Sequence, residues 1–302
     1  MRQSNVALCQ SRARQQAVHL GEPLVISRGP AGRPYPGILH LGADALPEKG
    51  IDGGMSLSEL KADWEELGRL DPLWAILSGP DKQFGKWELD RFFLTGEQEI
   101  GTVLDTSCHL GIPANRKAAL DFGCGVGRLA RALARRFEHV QAVDISENMI
   151  LQAKELNRGL ANITFTVNAA ADLQLFPDRS FDFVYTDLVL QHLPERAMVF
   201  KYVGEFVRVL ERGGGLVFQM PCYIQRRYRF QVRRRVYLLL RSLGLSAVRV
   251  YQTFGLNPIQ MRFIPEREMI DFLGISGAKV LHVETRDQGD GAVRDAFYYA
   301  TR

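Results

Sequence analysis

Short apolar runs alternate with amphipathic segments from residue 118 to the end of the chain. The apolar runs have the length of buried strands, and the segments between them repeat their apolar positions at helical spacing. Strands are predicted near 118–122, 140–144, 163–167, 181–186, 214–220, 279–286 and 295–301. Helices are predicted near 128–137, 147–158, 195–210 and 266–273. This alternation indicates an α/β domain with a parallel sheet.

The chain before this region has a different pattern. Residues 1–55 show neither helical nor strand periodicity and are rich in Gly and Pro from residue 21 onward, so we predict an irregular extension there. Residues 56–112 carry apolar positions at helical spacing and predict a helical cap region. The main domain is predicted over 113–302, with a lid insertion at about 222–263.

Two helix starts are predicted in the cap region. Ser56 and Glu59 have the spacing of a capping box, in which each side chain accepts a hydrogen bond from the other residue's backbone. Asp71 followed by Pro72 predicts a second start, with Asp71 as the N-cap.

A glycine-rich turn joins the first predicted strand of the main domain to its first helix. It is the stretch Asp121-Phe122-Gly123-Cys124-Gly125-Val126-Gly127-Arg128. Glycine at alternate positions lets the backbone approach a ligand where a Cβ would block it. The helix that opens at Arg128 adds oriented N–H donors and a partial positive charge. Asp121 supplies a hydrogen-bond acceptor beside the turn.

Two common nucleotide-binding loops do not match this turn. A nicotinamide dinucleotide site needs G-x-G-x-x-G, and Arg128 stands where the third glycine belongs, while Gly127 comes one residue early. An acid inside the turn also fits poorly beside a pyrophosphate. A P-loop is excluded because no G-K-[ST] follows. A tight turn without a ligand is the remaining alternative.

The Asp-x-Gly-x-Gly-x-Gly pattern resembles the first motif of class I S-adenosylmethionine-dependent methyltransferases. The resemblance covers roughly residues 118–302. It implies a Rossmann-like, doubly wound sheet of seven strands, mostly parallel with the last strand antiparallel. It also implies S-adenosyl-L-methionine as the cofactor and N-terminal helices that cap it.

The resemblance assigns cofactor-binding positions along the chain. Asp144 ends the second strand, where the family holds the ribose hydroxyls, and Ile145 flanks the adenine. The family often has an acid before a small residue where this chain has Ala169 and Ala170, so backbone contact is expected there instead. The full set expected to bind the cofactor is Asp121, Phe122, Gly123, Cys124, Gly125, Gly127, Asp144, Ile145, Met149, Ala169, Ala170 and Asp187.

His192 is the candidate catalytic residue. It lies in Gln191-His192-Leu193-Pro194, a pattern frequent before the helix that follows the fourth strand in these enzymes. A histidine with a pKa near neutrality is able to accept a proton from an attacking hydroxyl. It is equally able to stay neutral and support the loop over the cofactor. Methyl transfer from a sulfonium depends mainly on alignment, so no dedicated base is obligatory.

The predicted insertion is strongly basic, although the whole chain has a formal net charge of only +4. Between Arg212 and Pro265 there are ten Arg and no Asp or Glu. One continuous helix is predicted, with an apolar ridge formed by Ile224, Tyr228, Val232, Val236 and Leu240. The residues expected to contact the acceptor are Tyr223, Arg226, Arg227, Tyr251 and Arg262.

Three interpretations of this insertion remain open. It forms a solvated amphipathic lid, a surface for anionic substrates or lipid headgroups, or an RNA-binding surface. We expect no nucleic-acid partner, because the rest of the chain is acidic.

The expected activity is methyl transfer from S-adenosylmethionine to an oxygen or nitrogen of a small, anionic or lipid- or sugar-linked acceptor. An inactive cofactor-binding regulator and an RNA methyltransferase are the alternatives. Four widely spaced cysteines without C-x-x-C predict no metal site. The polar N-terminus lacks the apolar core of a secretory signal, and we expect a cytoplasmic location.

Overall fold

The computed structural model describes residues 55–79, 81–288 and 291–302. Its strands are β1 (Ala118–Phe122), β2 (His139–Asp144), β3 (Ile163–Val167), β4 (Phe181–Thr186), β5 (Leu210–Ile224), β6 (Lys279–Gln288) and β7 (Val293–Thr301). Its helices are α1 (Leu57–Leu70), α2 (Pro72–Ile76), α3 (Leu89–His109), α4 (Arg128–Ala134), α5 (Glu147–Leu156), α6 (Arg196–Val209), α7 (Arg226–Arg229), α8 (Val232–Ser242), α9 (Ala247–Phe254) and α10 (Glu266–Ile275). A short 3₁₀ turn lies at Leu190–His192.

All seven strands form one sheet in the order β3-β2-β1-β4-β5-β7-β6. The first five strands in the chain pair in parallel, and β7 is antiparallel to both of its neighbours. The predicted fold class is therefore confirmed. The order reverses between β1 and β4, and in open α/β sheets ligands bind beside the carboxyl ends of the strands at such a point.

Helices cover both faces of the sheet because the strands are apolar on both sides. Leu120 and Phe122 of β1 pack with Phe206 of α6 on one face. Ala119 faces the other way and lies in a second core with Leu104 of α3 and Leu133 of α4. The central strands are thus buried on both faces, and polar side chains reach the surface mainly at the strand ends.

Helix α1 is fixed against α5. The Lys61 ammonium lies 2.7 Å from a carboxylate oxygen of Glu147, and the Gln152 amide donates to the Gly68 carbonyl at 2.8 Å. Gly68 leaves room for the Met149 side chain, which a Cβ at that position would meet at 3.4 Å. These contacts hold α1 over the carboxyl end of β2.

Both predicted helix starts are confirmed, and the first has a full capping box. The Ser56 hydroxyl accepts from the Glu59 N–H at 3.2 Å, and the Glu59 carboxylate accepts from the Ser56 N–H at 2.6 Å. The predicted start at Asp71 is also confirmed in position, with Asp71 at the N-cap and Pro72 first in the helix, but the Asp71 side chain makes no capping hydrogen bond. Its carboxylate instead accepts from the Gly85 N–H and the Tyr251 hydroxyl, each at 2.9 Å.

The predicted continuous helix of the insertion is also wrong. Ile224 belongs to β5, where it pairs with Val293. Gln231, with φ +47°, separates α7 from α8 and breaks the helical path. Within α8 the buried side chain is Tyr237, whereas Val232, on the predicted apolar ridge, is exposed.

The predicted domain boundaries remain predictions. Of the predicted extension 1–55, only Met55 falls within the described residues. In the described part of the chain, no helix is both long enough and apolar enough to cross a membrane.

Candidate active site

The glycine turn between β1 and α4 has a backbone that requires glycine. Gly123, Gly125 and Gly127 have φ of +76°, +52° and +86°, a region that L-residues with side chains rarely adopt. A Cβ on Gly123 would collide with Val189, and one on Gly125 would collide with Ile76. The turn is therefore closely packed between the loop after β4 and helix α2. We call its three glycines, Gly123, Gly125 and Gly127, the glycine floor.

Asp144, at the carboxyl end of β2, is bonded to this turn. One carboxylate oxygen accepts from the Gly125 N–H at 2.8 Å, and the other accepts from the Ser146 N–H at 2.9 Å. Ser146 is also the N-cap of α5, since its hydroxyl accepts from the Met149 N–H at 3.1 Å. Burial raises the pKa of Asp144 to about 6, although these backbone N–H groups oppose the shift.

A cavity opens above the turn at the carboxyl ends of β1, β2 and β4. Helices α1 and α2 contribute one wall through Leu57, Leu60, Trp64, Ala75 and Ile76. The turn, Asp144 and the loop after β4 contribute the opposite wall. The cavity is thus apolar on the helix side and polar at the strand ends, as small-molecule sites commonly are.

Asp121 lies beneath the turn and is fully buried. Among the described residues, neither of its carboxylate oxygens has a hydrogen-bond partner of normal geometry. Burial raises the pKa of Asp121 to about 7, and the nearby Arg128 guanidinium limits the rise. An ionised carboxylate in this position is costly unless a donor or a cation reaches it.

Arg128 is the centre of a buried charge cluster next to Asp121. Its guanidinium lies 2.7 Å from a Glu99 oxygen and 3.7 Å from an Asp187 oxygen. The Tyr185 hydroxyl donates to the other Glu99 oxygen at 2.8 Å. Burial, followed by the charge of Glu99, holds the pKa of Asp187 well above its usual range. The cluster anchors α3 and α4 to the end of β4.

His192 lines the cavity with both ring nitrogens engaged. Nδ1 lies 2.6 Å from the Gln260 carbonyl oxygen. Since a carbonyl only accepts, Nδ1 carries the proton and Nε2 accepts from the Gln191 amide at 3.2 Å. Burial lowers the pKa of His192 to about 4, and the ring packs 5.4 Å from that of Trp64. The imidazole is therefore neutral at physiological pH.

A second cavity adjoins the first and shares Asp187 and Leu188 with it. Its other lining residues come from α3 and from β5, β6 and β7, and include Gln98, Glu99, Thr102, Gln219, Arg286, Gln288 and Asp295. The Gln219 amide donates to Asp295 at 2.7 Å and to the Gln191 side chain at 3.1 Å. A hydrogen-bonded chain thus connects this cavity to His192.

Part of the chain is similar to a known protein family. Residues 120–218 match the family model described as a methyltransferase domain. This match covers less than half of the chain. A crystal structure of magnesium protoporphyrin IX methyltransferase from Synechocystis with bound SAH, S-adenosylhomocysteine, has the same fold. Its TM-score is 0.53 at 19% identity, over 81% of this chain and 99% of that one.

Curated methyltransferases are similar to parts of this chain. The 2-methyl-6-phytyl-1,4-hydroquinone methyltransferase of Synechocystis is 37% identical over 175 residues, which cover 57% of this chain and 53% of that protein. Phosphoethanolamine N-methyltransferase 1 of Triticum aestivum is 32% identical over 36% of this chain and 22% of that protein. Ubiquinone biosynthesis O-methyltransferase of Xylella fastidiosa is 32% identical over 35% and 42%. The chain thus spans about half or less of the relatives it matches.

The first cavity fits S-adenosylmethionine, the cofactor that the sequence predicts. The cofactor carries a ribose diol and a cationic amino group. Asp144 presents a carboxylate at the cavity wall, and Asp121 offers two unpartnered oxygens behind the turn. The glycine floor leaves no space for a Cβ. The hydroxyl and ammonium donors of the cofactor therefore match the carboxylate acceptors at and behind this cavity.

The structure brings most, but not all, of the predicted cofactor residues to this cavity. Those that line it are Phe122, Gly123, Gly125, Asp144, Ile145, Met149 and Asp187, and the candidate catalytic residue His192 lines it too. Asp121, Cys124 and Gly127 lie behind or beside the turn, and Ala169 and Ala170 are exposed outside the cavity. Their predicted roles stay predictions.

Asn168 is a lining residue that the sequence analysis missed. It follows β3 directly and is buried. Its side chain accepts from the Ala170 N–H at 3.2 Å and donates to the Asp172 carbonyl at 2.9 Å. The signal was present, because Asn168 has the same place after its strand that Asp144 has at the end of β2.

The five residues expected to contact the acceptor line neither cavity. The Tyr251 hydroxyl donates to Asp71 and is buried. Arg262 donates to the Leu193 carbonyl at 2.8 Å and also to that of Pro194, so it braces the loop after His192. Tyr223, Arg226 and Arg227 are exposed on the outer side of the insertion.

Proposed function

We propose that this protein transfers a methyl group from S-adenosylmethionine to an oxygen or nitrogen atom of a small acceptor. The observation that carries the proposal is the bond between Asp144 and the Gly125 N–H, which places a carboxylate at the edge of a glycine floor beside the buried Asp121. This arrangement supplies an acceptor for a diol at the cavity wall and, behind the turn, a second carboxylate whose charge favours a cationic amino group.

When bound, the cofactor supplies a methyl group already activated by a sulfonium. The protein's task is to hold and align the reactants, because alignment alone removes a large part of such a barrier. In this proposal Asp144 accepts from the ribose hydroxyls, and the charge of Asp121 behind the turn attracts the cationic amino group. The part of the cavity that would hold the adenine is lined by Asn168, Ile145 and Met149.

His192 acts as a positioning residue in this proposal. Its Nδ1 proton is held by Gln260, and the Nε2 lone pair is occupied by Gln191. An imidazole with a pKa near 4 is a weak proton acceptor at neutral pH. It holds the loop after β4 against Gln260 and packs on Trp64.

We place the acceptor in the second cavity. It meets the cofactor cavity at Asp187 and Leu188. Its carboxylates and amide oxygens accept hydrogen bonds, so an acceptor hydroxyl or amine fits its walls. Thr102 is exposed on this cavity's rim, and Thr102→Trp would fill it. The expected result is a raised KM for the acceptor with unchanged affinity for S-adenosylhomocysteine; an unchanged KM would place the acceptor elsewhere.

The names of the similar proteins indicate which classes of methyl acceptor to consider. One acts on a phytyl hydroquinone, one on phosphoethanolamine, and one in ubiquinone biosynthesis, by their names. We propose a lipid-linked acceptor with a phenolic hydroxyl as the first choice. The second cavity is lined by one arginine, Arg286, and by four acidic residues that together disfavour a phosphate: Glu99, Asp187, Asp287 and Asp295.

The test is S-adenosylhomocysteine formation with a prenylated hydroquinone, a prenylated catechol and phosphoethanolamine as acceptors. Turnover with either prenylated phenol, absent with phosphoethanolamine, supports the proposal. Turnover with phosphoethanolamine alone contradicts the acceptor class. Tight cofactor-product binding without turnover on any acceptor supports the inactive regulator instead.

A further inference from the structure

An unusual apolar stripe runs along the outer face of α8. Val232, Val236, Leu239 and Leu243 follow at helical spacing and are 62%, 39%, 58% and 67% exposed. Four large aliphatic side chains in one row on a surface helix are a feature of binding surfaces rather than of ordinary solvent-facing helices.

The opposite face of α8 explains why the stripe points outward. The Tyr237 hydroxyl donates to Glu66 of α1 at 2.9 Å, and Arg241 lies 3.7 Å from the same carboxylate. Arg234 donates to the Pro258 carbonyl at 2.9 Å. Polar contacts to α1 and to the chain after α9 therefore fix α8 with its aliphatic row outside.

Further apolar and basic side chains flank the stripe. Phe230 is 61% exposed just before α8, and Val248 is 45% exposed on α9. Arg235 of α8 and Arg249 of α9 are exposed, and within the described residues neither has an acidic partner. There is no Asp or Glu anywhere between Arg212 and Pro265. The surface thus combines apolar side chains with charged side chains that are all cationic.

We infer that this surface, formed by α8 and α9, docks on an anionic lipid bilayer. An interfacial helix buries an aliphatic face at the level of the headgroups and places arginines among anionic phosphates. A second copy of the same surface fits less well, because it would bring two cationic faces together. Nucleic acid fits less well, because its phosphates bind cationic groups and its bases stack on aromatic side chains, so a row of aliphatic side chains would remain without a partner.

The docking surface lies directly outside the cofactor cavity. Helix α1 separates the two, since Glu66 faces α8 while Leu60 and Trp64 line the cavity. A bilayer at α8 would therefore lie one helix away from the cofactor cavity. The docking itself does not rest on the proposed function.

Vesicle flotation with the full chain tests the inference. The protein is mixed with phosphatidylcholine vesicles or with vesicles that also contain phosphatidylglycerol. We expect at least tenfold stronger binding to the anionic vesicles, weakened by added salt. Arg235→Gln and Arg249→Gln should each weaken binding roughly fivefold. Leu239→Ser with Leu243→Ser should remove binding to both vesicle types.

Matched controls separate a lost surface from a lost fold. Leu151 of α5 and Ile275 of α10 are 67% and 76% exposed outside the insertion, so Leu151→Ser and Ile275→Ser should bind vesicles like the natural chain. All variants should keep their affinity for S-adenosylhomocysteine, which also separates this test from that of methyl transfer. No binding to anionic vesicles, or equal binding by Leu239→Ser/Leu243→Ser, would overturn the inference. So would a dimer that this double variant dissociates.

Discussion

The Asp144 carboxylate accepts a hydrogen bond from the Gly125 N–H at 2.8 Å, which joins the end of β2 to the turn after β1. The two residues are 19 positions apart in the chain. Their bond aligns the two halves of the cofactor cavity, so a change in either residue should affect the same ligand.

Gly125→Ala should weaken both the fold and the cofactor site. The residue has φ +52°, and the added methyl group collides with Ile76. We expect a loss of about 1–3 kcal/mol in the free energy of unfolding, together with at least tenfold weaker binding of S-adenosylhomocysteine. Chemical denaturation and calorimetry measure the two effects.

Gly101→Ala is the matched control for this substitution. Gly101 lies inside α3, and a Cβ there meets nothing within 4 Å. Alanine should stabilise the helix by about 0.5–1 kcal/mol and leave ligand affinity unchanged. If both alanine variants behaved alike, the glycine floor would have no special role.

Asp121→Asn should stabilise the unliganded protein at pH 8 while weakening the binding of the cofactor product. The pKa of Asp121 is about 7 in the fold against 3.8 ordinarily. The folded state therefore favours the neutral form, so stability falls as the pH rises from 3.8 to about 7 and stays at this lower level above it. Removing the ionised group should raise the melting temperature at pH 8 by about 2–4 °C per kcal/mol regained. At pH 4 the difference should vanish; a lower melting temperature at pH 8 would contradict this account.

Binding of S-adenosylhomocysteine should depend on pH. The pKa values of Asp144 and Asp121 lie at about 6 and about 7, and the carboxylates accept ligand hydrogen bonds best when ionised. Affinity should therefore decline as the pH falls from 8 to 5.5. Calorimetry at several pH values checks this, and a flat profile would mean that neither carboxyl contacts the ligand.

His192→Ala and His192→Asn should differ in a way that separates positioning from proton transfer. Both variants lack the imidazole base. Asn retains an N–H donor in the position of Nδ1, which can still reach the Gln260 carbonyl. A positioning role predicts that Asn restores much of the stability and turnover lost in Ala. It also predicts an unchanged pH profile of kcat between 6 and 8. Equal loss of turnover in both variants, at normal stability, would favour a general base.

The sequence was sufficient for the sheet and for the carboxylate at β2, because both depend on local periodicity and on the rule for strand ends. It was insufficient for the insertion. The direction of α8 depends on the hydrogen bond from Tyr237 to Glu66, 171 residues away, and helical periodicity contains no information on such a partner. The apolar ridge of Val232 and Val236 was predicted, but the sequence did not show whether it faces the domain or the solvent.

The same reason explains the misplaced acceptor residues. Tyr251 and Arg262 are residue types that often line binding pockets. In the structure, however, each donates a hydrogen bond to a group that is distant in the chain. The Tyr251 hydroxyl donates to Asp71, and Arg262 donates to the Leu193 carbonyl. Asn168 was missed for the opposite reason, since the family's usual acid was sought one position later.

Calorimetric titration with S-adenosylhomocysteine, for the natural chain and for Asp144→Asn, tests the central claim most directly. Asp271→Asn, an exposed aspartate of α10, serves as the matched control. The account predicts one site per chain, affinity reduced at least tenfold by Asp144→Asn, and no change in the control. Absence of binding to the natural chain, or equal affinity in Asp144→Asn, would contradict it.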